Sequence, residues 1–214
     1  MKVLAIGAHY DDVEIGCGGT LAMHSLKQDT VWVLVISESG YSDHKSKQIR
    51  HSSVAKREGV KAAKALNVKK TTTLDFPTND IPFNEKLVLS VRTVIDDFKP
   101  DIVYSHWLGD SHLDHYHVAR ATFSACRHVP NVFTYQSNWY KGGVAFNPRY
   151  YVDISKTFAA KVKSLKAYRE EFLRRGKDWM RFIGCTNGLY GLECGGNTRW
   201  AEGFEVIKMR NKNI

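Results

Sequence analysis

The sequence predicts an α/β fold, a Rossmann-like three-layer α/β/α sandwich built on a mainly parallel sheet. Short apolar runs rich in Val and Ile alternate with longer segments in which apolar residues recur at helical spacing. Strands that alternate with helices favour parallel pairing, because each helix carries the chain back over the sheet through a right-handed crossover. We therefore expect helices on both faces of the sheet and strands that are buried on both sides.

Short runs that fit buried strands cover residues 3–6, 31–36, 71–74, 102–105 and 132–135. The helical patterns between them cover residues 19–28, 48–66, 84–98 and 115–127. Asn84 is a favourable N-cap for the third helix, and Pro100 follows just after the end of that helix. The first four strands are thus each followed by a helix, as the predicted sandwich requires.

The last third of the sequence is less regular. It predicts a strand at 150–153, a helix at 155–174 and a final strand at 204–207. The glycine-rich stretch at 182–200 predicts a loop excursion, since glycine weakens a helix interior. No repeat or low-complexity linker divides the chain, so we expect a single domain over residues 1–214.

The composition is that of an ordinary globular protein, with 43% apolar and 25% charged residues. No segment approaches the roughly 18 uninterrupted apolar residues of a membrane helix, so no membrane span is predicted. The first residues favour a strand over a secretory signal, and the cysteines form no C-x-x-C pair. We therefore expect a cytoplasmic protein with free thiols, with a disulfide between Cys185 and Cys194 as the alternative.

The first loop of the predicted sheet carries a histidine and two adjacent carboxylates, His9, Asp11 and Asp12. In doubly wound folds, ligands bind where the carboxyl ends of the strands meet such loops. His9 and Asp12 are suitable ligands for one metal ion, which leaves Asp11 to face the substrate as a base. One alternative is that Asp11 and Asp12 only cap the next helix. A phosphate-binding turn at 16–19 is another, but the G-x-G-x-x-G spacing and the P-loop lysine are missing.

A second cluster follows the strand at 102–105 in the same way. Residues 106–115 contain three histidines and two aspartates. His115, at the start of the next helix, completes a metal-binding set with His9 and Asp12. Three protein ligands leave one position open for water, as in catalytic zinc sites. The alternative is a surface histidine cluster that holds no metal.

The other members of this cluster have supporting roles or none. Asp114 is adjacent to the predicted ligand and is placed to hold the second ring nitrogen of a histidine, which would fix the tautomer. His112 remains as an acid or as a donor to an oxyanion. His106 and His117 have no part in this scheme, and we interpret them as structural.

Together the two loops resemble those of the LmbE-like, or PIG-L, family of zinc-dependent N-deacetylases. The family pattern A-H-P-D-D-x-E, followed by G-C-G-G-T, is matched by A-H-Y-D-D-V-E at 8–14 and G-C-G-G-T at 16–20. The family pattern H-x-D-H is matched by H-L-D-H at 112–115. Order and spacing agree, and the resemblance covers most of the chain, through about residue 175 and again at 201–206.

The resemblance implies a role for each matching residue. The implied ligands of Zn²⁺, or alternatively of Fe²⁺ or another divalent ion, are His9, Asp12 and His115. Asp11 matches the general base. His112 matches the histidine that stabilises the oxyanion or protonates the leaving amine, and Asp114 matches a carboxylate that orients a histidine.

The match is looser at other positions. Arg57 resembles an arginine with which family members hold substrate, and a surface salt bridge, for instance to Glu58, is the alternative. Tyr10 stands where the family usually has proline, and we expect it to line the pocket or adjust its shape. The segment 185–200 is unlike the common family ending, which leaves the substrate open.

The predicted function is a zinc-dependent hydrolase that removes an N-acyl group, acetyl by preference, from an amino-sugar-containing substrate. The net charge of +9 favours a phosphorylated or nucleotide-linked sugar, with a thiol conjugate or an antibiotic precursor as alternatives. A non-catalytic Rossmann-like module that binds an anionic ligand is the rival class. We expect no nucleic-acid partner, because no zinc finger, helix-turn-helix or stacking motif accompanies the charge. The resemblance also leaves a homo-oligomer as an option.

Overall fold

The computed structural model describes residues 1–140 and 142–210, in which strands and helices largely alternate. The strands of this part of the chain are β1 (Lys2–Gly7), β2 (Thr30–Ser37), β3 (Tyr41–Ser42), β4 (Gln48–Arg50), β5 (Lys70–Phe76), β6 (Ile102–His106), β7 (Asn131–Tyr135), β8 (Tyr150–Asp153) and β9 (Ala201–Lys208). The helices are α1 (Asp12–Leu26), α2 (Ser52–Ala65), α3 (Glu85–Phe98), α4 (Leu113–Ala125), α5 (Phe158–Lys166) and α6 (Arg169–Cys194). None of these helices has the length and the apolar character needed to cross a bilayer.

Parallel pairing dominates the central sheet, whose strand order is β5-β2-β1-β6-β7-β9-β8. β1 pairs in parallel with β2 and β6, and the outer pairs β2–β5 and β6–β7 are also parallel. β9 runs antiparallel between β7 and β8. The predicted Rossmann-like α/β fold with a mainly parallel sheet is confirmed, and the antiparallel strands are confined to one edge.

Alternate residues of the central strands pack on opposite faces of the sheet. In β1, Val3 and Ala5 belong to a core cluster that includes residues of α1, α2, α5 and α6. Leu4 and Ile6 belong to a second cluster, together with residues of α3 and α4. Because all four side chains are fully buried, helices cover both faces, as the three-layer sandwich requires.

Helix α1 begins at Asp12, earlier than predicted, and contains the glycine-rich run at 16–19. A Cβ on Gly16 would lie 2.1 Å from Cδ2 of Tyr135, so glycine allows the helix to pack directly against β7. The helix bends at Cys17, whose φ of −142° is not helical. The run therefore serves close packing rather than a phosphate-binding turn.

Residues 48–66 form two elements instead of the single predicted helix. Strand β4 pairs antiparallel with β3, and α2 begins only at Ser52. Arg50, at the end of β4, forms ion pairs with Glu58 at 3.3 Å and with Glu171 at 3.7 Å. These tertiary contacts of a buried guanidinium group hold the segment extended and override its helical pattern.

The C-terminal third differs most from the prediction. The predicted helix at 155–174 is divided between α5 and the first turns of α6, and the predicted loop at 182–200 is helical as far as Cys194. A Cβ on Gly191 would lie 2.6 Å from the carbonyl oxygen of Arg199, so the glycine allows the chain before β9 to pack on the helix. Gly176, with φ of +66°, interrupts the helical path after the first turns of α6.

A buried ion pair joins the C-terminal elements to α1. Lys161 of α5 donates to Glu202 of β9 at 2.5 Å and to the carbonyl oxygen of Ile15 at 2.6 Å. The Glu202 carboxylate also accepts the backbone N–H groups of Gly19 at 2.9 Å and Thr20 at 2.7 Å. Because the bend in α1 leaves N–H groups without helical partners, Glu202 acts as a cap for the second half of that helix.

Candidate active site

The two motif loops meet because their strands are neighbours. β1 and β6 pair in parallel, with Ala5 opposite Tyr104, so both strands end at the same edge of the sheet. A cavity of about 220 Å³ opens at this edge. Its walls include His9, Asp11, Asp12, Arg50, His112, His115, Ser137, Asn138, Glu171, Arg174 and Arg175.

His9 lies between two carboxylates. Its Nε2 is 2.8 Å from Oδ2 of Asp114, and its Nδ1 is 3.4 Å from Oδ2 of Asp12. Asp114 is held in turn by the backbone N–H groups of Asn79 at 2.7 Å and Ile81 at 3.0 Å. Asp114 therefore contacts a histidine ring as the sequence suggested, and that histidine belongs to the other loop.

His115 repeats this arrangement with different partners. Its Nδ1 lies 3.0 Å from Oδ2 of Asp110, and its Nε2 lies 3.2 Å from Oδ1 of Asp12. Asn138 donates to the second oxygen of Asp110 at 2.7 Å. Sequence reasoning missed the roles of Asp110 and Asn138, although Asp110 was visible as a carboxylate inside the histidine cluster.

These donors suit a divalent metal ion. In both histidines one ring nitrogen is held by a carboxylate while the other faces Asp12, which is how outer carboxylates fix the tautomer of metal ligands. Two overlapping groups have their ligand atoms within 4.8 Å of one another, namely His9, His112 and His115, and Asp12, His106 and His115. The predicted set of His9, Asp12 and His115 spans both groups. Nitrogen and oxygen donors of this kind suit both zinc and iron.

His106 is the competing ligand in the second group. Its Nε2 lies 3.2 Å from Asp12, but the same nitrogen accepts the backbone N–H of Ala8 at 3.0 Å. The lone pair that a metal would need is therefore already engaged. The ring also stacks on that of His115, with centroids 4.1 Å apart, so packing as well as the Ala8 hydrogen bond holds it in place.

The charge state of the metal-free loops follows from these contacts. Burial lowers the pKa of His9 and His115, but the carboxylates outweigh it and raise the pKa of His9 to about 9 and that of His115 to about 10. Burial raises the pKa of Asp12, but His115 and His106 outweigh it and hold that pKa well below its usual range. Without a metal ion, protonated histidines thus surround an ionised aspartate.

Asp11 faces the cavity rather than the backbone of α1. It is the N-cap residue, with φ of 109°, but its side chain makes no capping hydrogen bond, so the capping alternative does not hold for it. Burial, followed by the charges of Asp12 and Glu171, raises the pKa of Asp11 to about 7, against the opposing effect of Arg175. A carboxylate with a pKa near neutrality is well suited to accept a proton as a general base.

His112 lines the same cavity from the N-cap of α4. Its Nδ1 accepts the backbone N–H of Asp114 at 3.3 Å, so the neutral ring carries its proton on Nε2. Burial, followed by the charges of His115 and His9, lowers the pKa of His112 to about 4. A neutral His112 therefore offers an N–H group to an oxygen or nitrogen atom in the cavity.

Arg57 is not brought to the cavity. It is exposed on α2 and does not contribute to the cavity wall, whereas Arg50 does. Glu58, the neighbour with which a salt bridge was considered for Arg57, is buried and pairs with Arg50. Sequence reasoning missed Arg50 because it fell inside the predicted helix.

The wall formed by α6 was also missed. Glu171, Arg174 and Arg175 all line the cavity. Their spacing places them on one face of a helix, which is the pattern that could have identified them as a group. From β7 onwards the chain also contributes Ser137, which donates to Oδ1 of Asp12 at 3.1 Å.

Tyr10 does not line the cavity, so of its two expected roles the lining of the pocket is wrong. The residue is only 3% exposed, and its hydroxyl lies 2.7 Å from Oγ1 of Thr73. Its backbone N–H donates to Oγ of Ser39 at 2.9 Å. Packing and hydrogen bonding thus hold this loop where proline would restrict it through its ring.

Comparison with known proteins agrees with the geometry. The profile of the PIG-L family, described as GlcNAc-PI de-N-acetylase, matches residues 4–126, which is more than half of the chain. The matched segment runs from β1 past the end of α4. It contains both motif loops and excludes α6 and β9.

Individual relatives extend the likeness over the remaining part. An uncharacterized deacetylase of Escherichia coli K12 is 29% identical over 177 residues, covering 78% of this chain and 90% of its own. Diacetylchitobiose deacetylase of Thermococcus kodakarensis is 26% identical over 223 residues, covering 96% of this chain and 83% of its own. The crystal structure of a conserved protein from Thermus thermophilus has a TM-score of 0.81 at 22% identity, covering 98% of this chain and 95% of its own, and shows the same fold.

Proposed function

Because the chain belongs to the PIG-L, or LmbE-like, family of deacetylases, we propose that it is a zinc-dependent hydrolase that removes an N-acyl group, acetyl by preference, from an amino-sugar-containing substrate. One observation carries the proposal: His9 and His115 each have a carboxylate on one ring nitrogen and Asp12 on the other side. Asp11 and His112 line the cavity beside these donors.

In this proposal the metal ligands are His9, Asp12 and His115. Asp114 orients His9, and Asp110 orients His115. Zinc is the proposed ion, with iron(II) or another divalent ion as the alternative, because this donor set accepts both. When bound, the ion supplies a water that ionises near neutral pH and a Lewis acid for the amide carbonyl.

The cavity residues then divide the proton transfers between them. Asp11 accepts a proton from the attacking water, since its carboxylate lines the cavity beside the proposed metal ligands. The Nε2–H group of His112 donates to the carbonyl oxygen as negative charge develops there. When the C–N bond breaks, the proton held by Asp11 passes to the nitrogen, so that a free amine and acetic acid leave, and the acid then ionises to acetate in water.

An acetamido sugar is the proposed substrate, because a relative that aligns with most of the chain is diacetylchitobiose deacetylase. Phosphorylated, nucleotide-linked and antibiotic-precursor sugars are the variants of this substrate that the same chemistry would serve. The rival, a non-catalytic module for an anionic ligand, leaves the placement of Asp11 and His112 in the cavity without a purpose.

Several wider expectations also stay part of the proposal. A single domain over residues 1–214, a cytoplasmic location and assembly as a homo-oligomer are expected but rest on the sequence. The four cysteines, Cys17, Cys126, Cys185 and Cys194, are free thiols in the structure.

The proposal is tested by incubating the zinc-loaded protein with a panel of N-acetylated amino sugars and measuring acetate and free amine. We expect equal amounts of both products. Asp11→Asn should keep its metal and lose roughly 10²-fold or more in turnover, because it cannot accept the proton. Asp178→Asn, an exposed position on α6, is the matched control. Wild-type turnover in Asp11→Asn, or no acetate from any sugar in the panel, would overturn the proposal.

A further inference from the structure

The cavity has a second wall that the metal chemistry does not use. Arg50 from β4 and Arg174 and Arg175 from α6 face the cavity from this side, with Glu171 between them. The two α6 arginines lie beyond the segment that matches the family profile. They are therefore contributed by the C-terminal third of the chain, outside the segment that carries the two motif loops.

Glu171 organises the three guanidinium groups. It accepts from Nε of Arg175 at 3.0 Å and also from Arg174, and it lies 3.7 Å from Arg50. Tyr41 donates to the same carboxylate at 3.1 Å. Burial raises the pKa of Glu171, but the three arginines outweigh it and lower that pKa, so the carboxylate stays ionised and holds the side chains in place.

The arginines differ in how much hydrogen-bonding capacity remains. Arg50 is nearly buried and is engaged by Glu58 as well as Glu171. Among the described residues, Arg175 uses only Nε, and Arg174 uses one terminal nitrogen, each toward Glu171. The side chain of Arg174 is 45% exposed and that of Arg175 is 24% exposed. Their remaining N–H groups are therefore open to a molecule in the cavity.

The charge on this wall is not balanced by its own carboxylates. Three guanidinium groups meet two carboxylates, Glu171 and Glu58, which leaves one positive charge. Asp11 is the next acidic group, and it interacts electrostatically with Arg175. Among the described residues, however, Asp11 forms neither a hydrogen bond nor a close ion pair with Arg175, whose guanidinium group hydrogen-bonds directly only to Glu171.

Free guanidinium N–H groups in a confined cavity favour one kind of partner. Planar guanidinium groups bind phosphate and carboxylate oxygens in pairs, and such charged hydrogen bonds are roughly twice as strong as neutral ones. Sugar hydroxyl groups would accept the same hydrogen bonds, but only as neutral acceptors. An anion accepts them as charge-assisted hydrogen bonds, so an anion is the favoured partner.

We propose that Arg174 and Arg175 bind an anionic group of the substrate, a phosphate or a carboxylate attached to the N-acyl amino sugar. This inference rests on the proposed function and narrows its substrate class. The acyl nitrogen lies toward the two motif loops, and the anion lies toward α6. Selectivity for charged sugars is therefore located outside the metal-binding residues.

The first test compares kcat/KM for neutral N-acetylglucosamine, its 1-phosphate, its 6-phosphate and N-acetylmuramic acid. The two phosphates and the carboxylate of the last compound distinguish the sources of the anion. We expect the wild type to prefer at least one anionic sugar by about 10- to 100-fold. Arg174→Gln combined with Arg175→Gln should lower that preference by about 10-fold or more, whereas Arg181→Gln, exposed on the same helix, should retain it.

A second measurement separates this proposal from the proposed function. Calorimetric binding of glucosamine 6-phosphate, glucosamine 1-phosphate, muramic acid and neutral glucosamine needs no turnover. We expect the wild type to bind a charged amino sugar more tightly than neutral glucosamine. The double glutamine variant should lose this difference, and Arg175→Lys should keep part of it. Such a result supports the anion site even if no acetate is ever released. The proposal would be overturned if the wild type showed the same kcat/KM and the same affinity for charged and neutral sugars. It would also be overturned if the double glutamine variant kept the same preference for charged sugars as Arg181→Gln. Circular dichroism checks that each variant is folded.

Discussion

The ring of Tyr10 occupies the space that a side chain on Gly59 would need. A Cβ added to Gly59 would lie 2.2 Å from Cδ1 and 2.3 Å from Cε1 of the tyrosine. Tyr10 belongs to the first motif loop, between His9 and Asp11, and Gly59 lies in the middle of α2. The loop position usually filled by proline in the family is thus coupled to a glycine on a helix that packs against it.

This contact predicts that Gly59→Ala lowers the free energy of unfolding by about 1–3 kcal/mol, because overpacking outweighs the gain in helix propensity. The measurement is urea unfolding followed by circular dichroism. Gly184→Ala is the matched control, since a Cβ there meets nothing within 4 Å, and it should be neutral or slightly stabilising. In a Tyr10→Ala background the penalty of Gly59→Ala should disappear. An unchanged penalty in that background would show that the ring is not its cause.

The choice between the two overlapping ligand groups gives a second prediction. His9→Ala and His115→Ala should each reduce the bound metal from about one ion per chain to a small fraction, because each removes a proposed ligand. His106→Gln should keep the metal, since glutamine can still accept the N–H of Ala8. Elemental mass spectrometry of the purified proteins makes the comparison. Loss of metal in His106→Gln with retention in His9→Ala would assign the site to the other group.

Metal binding should release protons. In the metal-free loops the pKa of His9 is about 9 and that of His115 about 10, so both rings are protonated at pH 7 and must lose their protons to bind an ion. Asp12 is already ionised near neutral pH, so it adds nothing to the pH dependence of the metal affinity in this range. The apparent affinity should therefore rise with pH, by up to about two logarithmic units per pH unit near neutrality, and level off above the two pKa values. Competition with a chelator between about pH 6.5 and 9 measures it, and an affinity independent of pH would contradict the assignment.

The buried ion pair between Lys161 and Glu202 predicts an asymmetric response to mutation. Lys161→Met should lower the free energy of unfolding by about 3–5 kcal/mol, because it leaves the Glu202 charge uncompensated in the core. Adding Glu202→Gln should recover part of that loss. Lys163→Met, exposed on the same helix, should have little effect. The test is urea unfolding of the wild type, the two single lysine variants and the double variant. Equal free energies of unfolding for Lys161→Met and Lys163→Met would show that the ion pair is dispensable.

The parts of the site that lie on regular strand ends could be predicted from the sequence. His9 and Asp12 follow β1, and His112 and His115 follow β6, so parallel neighbouring strands bring the two loops together. The assignment of Asp114 to a histidine ring was also accessible, because carboxylates commonly fix the tautomer of a ligand histidine. For these residues, their position in the sequence relative to the predicted strands was sufficient to predict that they meet in the site.

The second wall of the cavity could not be predicted in this way. Arg50 and Arg57 are both basic residues in one helical pattern, and only the contacts of Arg50 with Glu58 and Glu171 distinguish them. The glycines of α6 favoured the prediction of a loop because glycine destabilises a helix interior. The close approach of the chain near Arg199, which requires Gly191, is a contact with a distant segment that the local sequence does not reveal. Contacts between residues far apart in sequence leave no periodic pattern.

The cap that Glu202 provides for α1 has a consequence for synthesis of the protein. Gly19 and its acceptor are separated by 183 residues, and Lys161 is also made before its counter-ion. On the ribosome the growing chain therefore holds an unpaired lysine and two unbonded N–H groups until β9 has been translated. These groups must stay hydrated during that time, so the native interface between α1 and α5 is complete only once β9 is in place. A chain released before Glu202 would carry both motif loops without the cap on which the second half of α1 depends.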